Sequence, residues 1–255
     1  MEKINLKLQK NKKLYFAGDF HLGKLNEISS IQREKHIVKW LDSIKKDAQE
    51  IFLMGDIFDF WFEYKEVVPK GFTRTLGKLA EISDAGISIH YFVGNHDMWL
   101  RDYFQKELNI TVHRGSKVFN INDKKLFVAH GDGLGPGDKS FKLIKKVFTN
   151  PFFNWCFRCI HPDLGIKIGK YFSNKNRLKS AIEDLKFNGN ENEWLTKYCR
   201  AKLEQEHYDC FIFGHRHLPL EIELNGNSKY INLGDWITHF SYGVFDGSLV
   251  SLKKY

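Results

Sequence analysis

Seven side chains in this sequence are of the types that bind transition metals, and they occur in short clusters separated by long stretches of chain. The set contains two carboxylates, one amide oxygen and four imidazoles, but no thiolate. Such a mixture of oxygen and nitrogen suits Mn, Fe, Co or Zn better than Ca or Mg, which prefer shells made only of oxygen. A single D-x-H or H-x-H is often only a turn, so the inference depends on the whole set: Asp19, His21, Asp56, Asn95, His130, His215 and His217.

Seven ligands are too many for one ion that must keep an open position, but they fit two ions if one carboxylate bridges them. Two ions about 3.5–4 Å apart lower the pKa of a shared water to about 7 and clamp both oxygens of an in-line displacement at phosphorus. The sequence contains no G-x-S-x-G elbow, no Walker A motif and no G-x-G-x-x-G, which would indicate other chemistry. The residues therefore predict a two-metal phosphoesterase.

Each cluster of ligands follows a short apolar run that ends in a small residue. Runs of four to six residues rich in Ile, Val, Phe and Tyr are typical of buried strands; here they are LYFAG, IFLMG, IHYFVG, LFVA and CFIFG. Glycine at the end of a run lets the main chain turn and come close to the site. Ligands placed just beyond strand ends collect in one crevice of an α/β sheet.

Between these runs the apolar residues recur with helical spacing. One such face contains Ile37, Trp40, Leu41 and Ile44, and another contains Leu76, Leu79 and Ile82. Alternation of strands and helices predicts an α/β domain.

The net charge of +8 has an uneven distribution along the chain. Ten basic residues lie between Lys139 and Lys179, where Asp163 is the only acidic one. The segment is also rich in apolar residues, which recur at near-helical spacing until Pro151 interrupts them. A basic amphipathic helix is typical of a membrane surface or an anionic ligand site, although a solvated helix face would show the same charges. Both interpretations remain open at this point.

Cys156 and Cys159 form a lone C-x-x-C inside this apolar segment. A zinc site needs a second pair at a matching spacing, and the chain has none. Free cysteine behaves as a small hydrophobic residue. We therefore expect a buried, reduced pair without chemistry.

The motifs GDFHLG, GDIFDFW, GNHD, HGD and GHRH together resemble those of the calcineurin-like metallophosphoesterases, from Leu14 to about Asp246. The resemblance implies the fold class of that family, an α/β structure with a β-sandwich flanked by helices. It also implies one metallophosphoesterase domain over residues 1–255, with the basic and apolar helical insert, at about 134–200, acting as a lid. The phrase GDIFDFW, the acidic Asp138 after HGD and the insert are most similar to the UDP-2,3-diacylglucosamine diphosphatases of lipid A synthesis.

This narrower similarity implies two divalent ions, with Mn²⁺ the expected metal. One ion would be held by Asp19, His21, Asp56 and His217. The other would be held by Asp56, Asn95, His130 and His215, so that Asp56 bridges the pair. The implied reaction is hydrolysis of the pyrophosphate bond of UDP-2,3-diacylglucosamine to UMP and 2,3-diacylglucosamine 1-phosphate. The implied substrate contacts are Asn95, His96, Asp138, Lys175, Arg177 and His215.

The resemblance assigns catalysis to His96 and Asp97. Many members of the narrower group have Arg after the Asn of the GN motif, whereas this chain has His96. Histidine is usual there in the wider superfamily, where with Asp97 it stabilises the transition state and helps the leaving group to depart. We expect a neutral imidazole, held by the carboxylate of Asp97, that becomes charged next to phosphate.

Other functions fit parts of the pattern. A phosphoesterase for a soluble nucleotide or phosphoprotein would have the same ligands, but it would not need the aromatic residues of the insert. A non-catalytic scaffold on this fold would have lost ligands, and all seven are present. A nucleic-acid phosphodiesterase would carry its positive charge around the crevice, so we expect no nucleic-acid partner.

The first residues are basic and polar, and no run approaches the ~18 apolar residues of a spanning helix. We therefore expect a cytoplasmic protein. An acylated, UDP-linked substrate would also bring it into peripheral contact with the inner face of the inner membrane.

Overall fold

The computed structural model describes residues 2–24, 28–135, 139–184, 187, 189–225 and 227–255, apart from the side chains of 139–141 and 174–184. In chain order the strands of the described residues are β1 Lys3–Leu6, β2 Lys13–Ala17, β3 Ala48–Leu53, β4 Ser88–Phe92, β5 Thr111–His113, β6 Lys117–Ile121, β7 Lys124–Ala129, β8 Cys210–Phe213, β9 Pro219–Asn225, β10 Ser228–Leu233, β11 Ser241–Phe245 and β12 Val250–Lys254. They form two six-stranded sheets, with the orders β1-β6-β7-β8-β10-β9 and β12-β11-β2-β3-β4-β5.

The two sheets pack face to face through a layer of apolar side chains. The ring of Phe52 lies 4.5 Å from that of Phe16 in its own sheet and 5.0 Å from that of Phe119 in the other sheet, measured between centroids. Ile212 and Ile231 are fully buried in the same layer. The predicted β-sandwich is therefore confirmed.

Helices cover the outer faces of the sandwich. The helices α1 Ser30–Ile44, α2 Thr73–Asp84 and α3 Tyr103–Leu108 pack on the second sheet, and α7 Trp194–Leu203 packs on the first. The apolar faces predicted on α1 and α2 are those that point inward: Ile37, Trp40, Leu41, Ile44, Leu79 and Ile82 are buried, and Leu76 packs against them. Ser29 begins α1 with a capping box, in which its side chain and that of Gln32 each bond the main chain of the other.

Within each sheet, the strands that precede the ligands run parallel to one another. In the second sheet β2 pairs with β3, and β3 pairs with β4, both in parallel. In the first sheet β7 and β8 are also parallel. Parallel strands present their carboxyl ends at the same edge of a sheet, so the loops that follow all five strands can meet at one end of the sandwich.

Three helices lie between β7 and α7: α4 Lys139–Phe148, α5 Pro151–Arg158 and α6 Pro162–Asp184. Phe157 and Ile166 of these helices pack on an aromatic cluster of the core, made of Phe60, Phe62 and Tyr64. α7 begins inside the predicted insert, but it covers the first sheet through buried Leu195 and Cys199.

Much of the apolar surface of α4 to α6 faces outward. Phe152 is 63% exposed and Trp155 is 60% exposed. The prediction of a buried pair of cysteines is wrong, because both Cys156 and Cys159 are exposed, although they are free. They lie on α5 and at its end, and only one side of this short helix rests on the core.

Candidate active site

All seven predicted ligands lie in loops that immediately follow β2, β3, β4, β7 and β8. Main-chain hydrogen bonds hold these loops together: the N–H of Asp19 donates to Gly55 at 2.9 Å, and that of His21 donates to Asp56 at 2.9 Å. The N–H of His215 donates to Oδ2 of Asp19 at 2.9 Å and thereby joins the two sheets. The crevice is therefore built from both halves of the sandwich.

The first group of ligands contains Asp19, His21 and His217, whose ligand atoms lie within 4.8 Å of one another. Nε2 of His217 is 3.1 Å from Oδ1 of Asp19 and 3.0 Å from Nε2 of His21. Behind the ligands, Oδ1 of Asp59 is 3.4 Å from Nδ1 of His21, and Asp235 approaches Nδ1 of His217 at 3.9 Å. Carboxylates in this position orient ligating imidazoles.

The second group contains Asp56, His130 and His215, again within 4.8 Å of one another. Nε2 of His130 is 3.6 Å from Oδ2 of Asp56 and 3.3 Å from Oδ1 of Asn95. The same oxygen of Asp56 lies 3.8 Å from Nε2 of His21 in the first group. The carboxylate of Asp56 thus stands between the two groups, where a bridging ligand must stand.

The donor atoms fit divalent cations. Oδ1 of Asp19 is buried and makes no hydrogen bond among the described residues, although Nε2 of His217 approaches it to 3.1 Å. A buried carboxylate oxygen without a hydrogen bond is costly in the absence of a cation. Nδ1 of His130 donates to the carbonyl of Met54 at 2.7 Å. Its Nε2 is therefore the atom that faces the site, as a ligand requires.

The electrostatics of the second group also favour a cation. Burial opposes a proton on His130, but the neighbouring carboxylates, above all Asp56, outweigh it and raise the pKa of His130 to about 10. Burial, together with the charge of His130, lowers the pKa of His215 to about 4. The carboxylates thus draw a proton into the site, and a metal ion binding there releases it, because imidazole ligates in its neutral form.

Five of the seven ligands have main-chain conformations in the left-handed region, with φ between 43° and 66°. For residues other than glycine, such conformations cost of order 1–3 kcal/mol each and persist only where the surroundings impose them. The surrounding hydrogen bonds therefore hold the ligands in place without help from favourable local geometry. These five are Asp19, His21, Asp56, His215 and His217.

Glycines allow the close approach that the sequence predicted. A methyl group at Gly94 would overlap Oδ1 of Asp56 and would lie 2.6 Å from its main-chain nitrogen. One at Gly214 would lie 2.5 Å from Oδ2 of Asp19. At both positions the missing side chain leaves room for a ligand.

His96 lies beside the first group, with its ring 4.9 Å from that of His21. Nδ1 of His96 is 2.9 Å from the carbonyl oxygen of Asp59 and 3.0 Å from Oγ of Ser173 on α6. Sequence reasoning missed both Asp59 and Ser173. The D-x-x-D spacing of Asp56 and Asp59 could have indicated the first, whereas nothing in the local sequence of α6 indicates the second.

Asp97 has a different position from the one expected. Its Oδ1 accepts a hydrogen bond from the N–H of Gly94 at 2.7 Å, and its Oδ2 accepts from the N–H of Ile57 at 3.0 Å and from the hydroxyl of Tyr91 at 2.6 Å. Burial and the charge of Asp56 raise its pKa to about 7. The expectation that Asp97 holds the imidazole of His96 is wrong, because both oxygens face other donors.

The remaining predicted substrate contacts lie in the insert. Asp138 is outside the described residues. Lys175 and Arg177 belong to α6, but their side chains are outside the described part. Ser173, in the middle of the same helix, lies 3.0 Å from Nδ1 of His96, which brings this part of α6 next to the first ligand group.

Two adjacent and mostly buried groups of candidate metal ligands, with Asp56 between them at the end of a two-sheet sandwich, are typical of metal-dependent phosphoesterases. Residues 12–219 match the family model described as Calcineurin-like phosphoesterase. The chain belongs to this family, as the motifs predicted. It is therefore a hydrolase of the metallophosphoesterase type, and membership implies divalent metal ions.

Several curated proteins are similar to the chain over most of its length. A UDP-2,3-diacylglucosamine hydrolase of Porphyromonas gingivalis is 38% identical, over 95% of this chain and 97% of that protein. Proteins with the same name from Wigglesworthia glossinidia brevipalpis and Haemophilus influenzae are 28% and 21% identical. They cover 74% and 89% of this chain, and 74% and 92% of their own lengths.

Proposed function

We propose that the protein hydrolyses the pyrophosphate bond of UDP-2,3-diacylglucosamine to give UMP and 2,3-diacylglucosamine 1-phosphate. The observation that carries the proposal is the contact of α6 with the site: Ser173 bonds Asp59 and lies beside His96. An apolar and basic group of helices thus adjoins a two-metal phosphoesterase centre. The relative from P. gingivalis supports the same substrate by its name and by its similarity over nearly both whole chains.

The metal ligands of the proposed enzyme are the two groups described above. Asp19, His21, Asp56 and His217 would hold one ion, and Asp56, Asn95, His130 and His215 would hold the other. Mn²⁺ is the metal we propose because the resemblance to the UDP-2,3-diacylglucosamine diphosphatases implies it, and the mixed oxygen and imidazole ligands are compatible with it. When bound, the ions supply a nucleophile at neutral pH and stabilise charge on the phosphorus oxygens.

Other residues of the chain position the substrate and the ligands. Nδ1 of His96 donates to the carbonyl oxygen of Asp59 at 2.9 Å, which fixes the orientation of the ring. In the neutral imidazole Nε2 is then an acceptor, and it can donate to a phosphate oxygen or to the leaving group when the ring is protonated. Asp97 acts indirectly, by bonding the main chain of the loops that carry Asp56 and Asn95. Asp138, Lys175 and Arg177 remain the proposed contacts for the sugar, uridine or phosphate groups.

The insert provides apolar surface for the acyl chains and for the membrane from which the substrate comes. Leu143, Phe152, Trp155 and Phe172 are all more than half exposed, and basic residues accompany them along α4 to α6. Such surfaces bind the anionic face of a bilayer. Among the described helices, none is long and apolar enough to cross a bilayer. We propose peripheral contact with the cytoplasmic face of the inner membrane.

The experiment that tests this function compares two substrates with the same leaving group. The protein is incubated with Mn²⁺ and either UDP-2,3-diacylglucosamine or UDP-N-acetylglucosamine, and UMP is measured. We expect kcat/KM to be at least about 100-fold higher for the acylated substrate, since apolar contacts made in the transition state raise this ratio. Equal rates on both substrates would exclude the lipid and point to a soluble nucleotide substrate.

A further inference from the structure

A second cavity, of about 520 Å³, lies between the core and the insert. Its core wall is formed by the segment from Met98 to Arg101 and by Arg114, and its insert wall includes Lys145 of α4 and Arg158 of α5. The aromatic side chain of Phe62 also lines the cavity. None of the seven metal ligands lines this cavity, so it is separate from the centre described above.

Positive charge dominates the cavity. Four cationic side chains line it: Arg101, Arg114, Lys145 and Arg158. Lys145 pairs with Asp132 at 2.5 Å. Within the described part of the chain, no carboxylate lies within ion-pair distance of the other three. Nε of Arg158 is moreover buried without a hydrogen-bond partner there, which is unfavourable for a charged group unless a ligand satisfies it.

The carboxylate of Glu63 lines the cavity but is already engaged. Its Oε2 accepts from the main-chain N–H groups of Arg101, Asp102 and Tyr103 at 2.7, 2.9 and 3.2 Å. Its Oε1 accepts from the indole of Trp61 at 3.1 Å. Glu63 therefore fixes the start of α3, and its hydrogen-bonding capacity is not directed at the arginine side chains.

The guanidinium of Arg114 is fixed before any ligand binds. Its Nη1 donates to the carbonyl of Met98 at 3.3 Å, and its Nη2 donates to the carbonyl of Leu100. A guanidinium has five N–H donors, so others remain for a ligand. Fixed guanidinium groups match the geometry of phosphate oxygens and lose little entropy on binding them.

We propose that this cavity is a binding site for a phosphate group carried on a small apolar body. The phosphate lies among Arg101, Arg114 and Arg158, and the apolar body lies against Phe62, Met98 and Trp99. Because the cations come from both the core and the insert, the ligand neutralises their mutual repulsion and holds the insert on the core. Either a soluble organic phosphate or the headgroup of an anionic phospholipid has this chemistry.

The test uses hexyl phosphate as the probe and isothermal titration calorimetry in the presence of EDTA, so that the metal centre makes no contribution. Failure of the proposed hydrolysis would leave this result unaffected. We expect saturable binding that weakens by about tenfold or more in Arg101→Gln and in Arg158→Gln, since each removes a charge-assisted hydrogen bond. Arg101→Gln is informative even if the other variant folds poorly, because its exposed side chain has no ion-pair partner among the described residues. Lys170→Gln, on an exposed face of α6, is the matched control and should bind as the wild type does.

Vesicles of phosphatidylglycerol and of phosphatidylcholine then identify the source of the phosphate. If binding to phosphatidylglycerol falls in both arginine variants and hexyl phosphate competes with it, the headgroup occupies the site. If the arginine variants lose affinity for hexyl phosphate but bind phosphatidylglycerol as the wild type does, a soluble phosphate occupies the site. The proposal holds in both cases. It is overturned if the wild type shows no saturable binding up to about 10 mM, or if the arginine variants bind hexyl phosphate as tightly as Lys170→Gln.

Discussion

At the scale of single residues, the site depends on how closely the main chain of one loop approaches the ligands of another. Gly94 precedes Asn95 and lies against the carboxylate of Asp56, since a methyl group there would overlap Oδ1 of Asp56. That oxygen also accepts the N–H of His96 at 2.8 Å. A change at Gly94 must therefore move Asp56, the carboxylate that we propose both ions share.

We expect Gly94→Ala to lower kcat by at least about 100-fold, because a displacement of about 1 Å in a reacting group has that effect. Bound Mn²⁺ should fall as well. Gly77→Ala is the control: Gly77 lies on α2 with no atom within 4 Å of an added methyl group, and alanine there should stabilise the helix by up to about 1 kcal/mol. Steady-state kinetics and urea unfolding of both variants measure these effects, and full activity in Gly94→Ala would contradict the description of the site.

The positions of the proposed ligands, side by side at the ends of strands, could be predicted from sequence because each proposed ligand lies in the loop that follows a strand. Ser173 could not, because its role depends on which side chains meet after folding, whereas the D-x-x-D spacing with Asp56 offers a signal for Asp59. The hydrogen-bond partners of Asp97 also could not be inferred from its neighbours in the sequence. Because His96 precedes Asp97, we expected a hydrogen bond between the two side chains. The loop geometry instead directs the carboxylate of Asp97 toward the main-chain N–H groups of Gly94 and Ile57.

At the scale of elements, one buried ion pair connects α7 to the loop that carries two of the proposed metal ligands. Arg216 lies between His215 and His217, and its Nε and Nη2 donate to Glu193 at 3.1 and 3.2 Å. Glu193 is the residue before the first turn of α7. Both side chains are almost fully buried. The pair thus fixes a loop whose two ligands have unfavourable φ angles.

We expect Arg216→Met to destabilise the fold by about 3 kcal/mol or more, since it leaves the carboxylate of Glu193 buried without its partner. Affinity for Mn²⁺ should fall with it. The matched control is Arg200→Met, which removes the exposed pair of Arg200 with Glu191 on the same helix and should cost less than about 1 kcal/mol. Equal losses in the two variants, measured by urea unfolding, would show that the buried pair has no special role.

The strands that precede the ligands and the helices α1 and α2 could be predicted from the sequence, because the spacing of their apolar residues matches the secondary structure that they form. The structure of the insert could be predicted only in part. Its helices follow from the spacing of apolar residues around Pro151, but that spacing does not reveal which face is covered. Cys156 and Cys159 illustrate the difference, since an apolar neighbourhood in sequence became an exposed surface in the fold.

At the scale of the whole molecule, stability and pH are linked through a chain of side chains across three neighbouring strands. Glu50 on β3, His90 on β4 and His113 on β5 follow one another, with 2.8 Å between Glu50 Oε2 and His90 Nε2 and 2.9 Å between His90 Nδ1 and His113 Nε2. Burial, followed by the charge of His90, lowers the pKa of His113 to about 4. The folded protein therefore disfavours a proton that the unfolded chain accepts at a pH of about 6.5.

The sign of the effect follows from this difference. Between about pH 6.5 and pH 4 the unfolded chain binds more protons at His113, so the free energy of unfolding decreases as the pH falls. We expect His113→Gln, which can still donate to His90, to remove up to about 3 kcal/mol of that decrease. Urea unfolding at pH 7 and at pH 4.5 measures it. Parallel curves for the wild type and the variant would refute the link.

The central claim also belongs to this scale: two sheets bring together side chains from five separate loops to hold two ions that share Asp56. The most direct measurement is the number of Mn²⁺ ions bound per chain after equilibrium dialysis, determined by mass spectrometry for the wild type and for Asp56→Ala, together with turnover. We predict two ions in the wild type, and in the variant at most one ion and no detectable turnover. Two ions and retained turnover in Asp56→Ala would contradict the account.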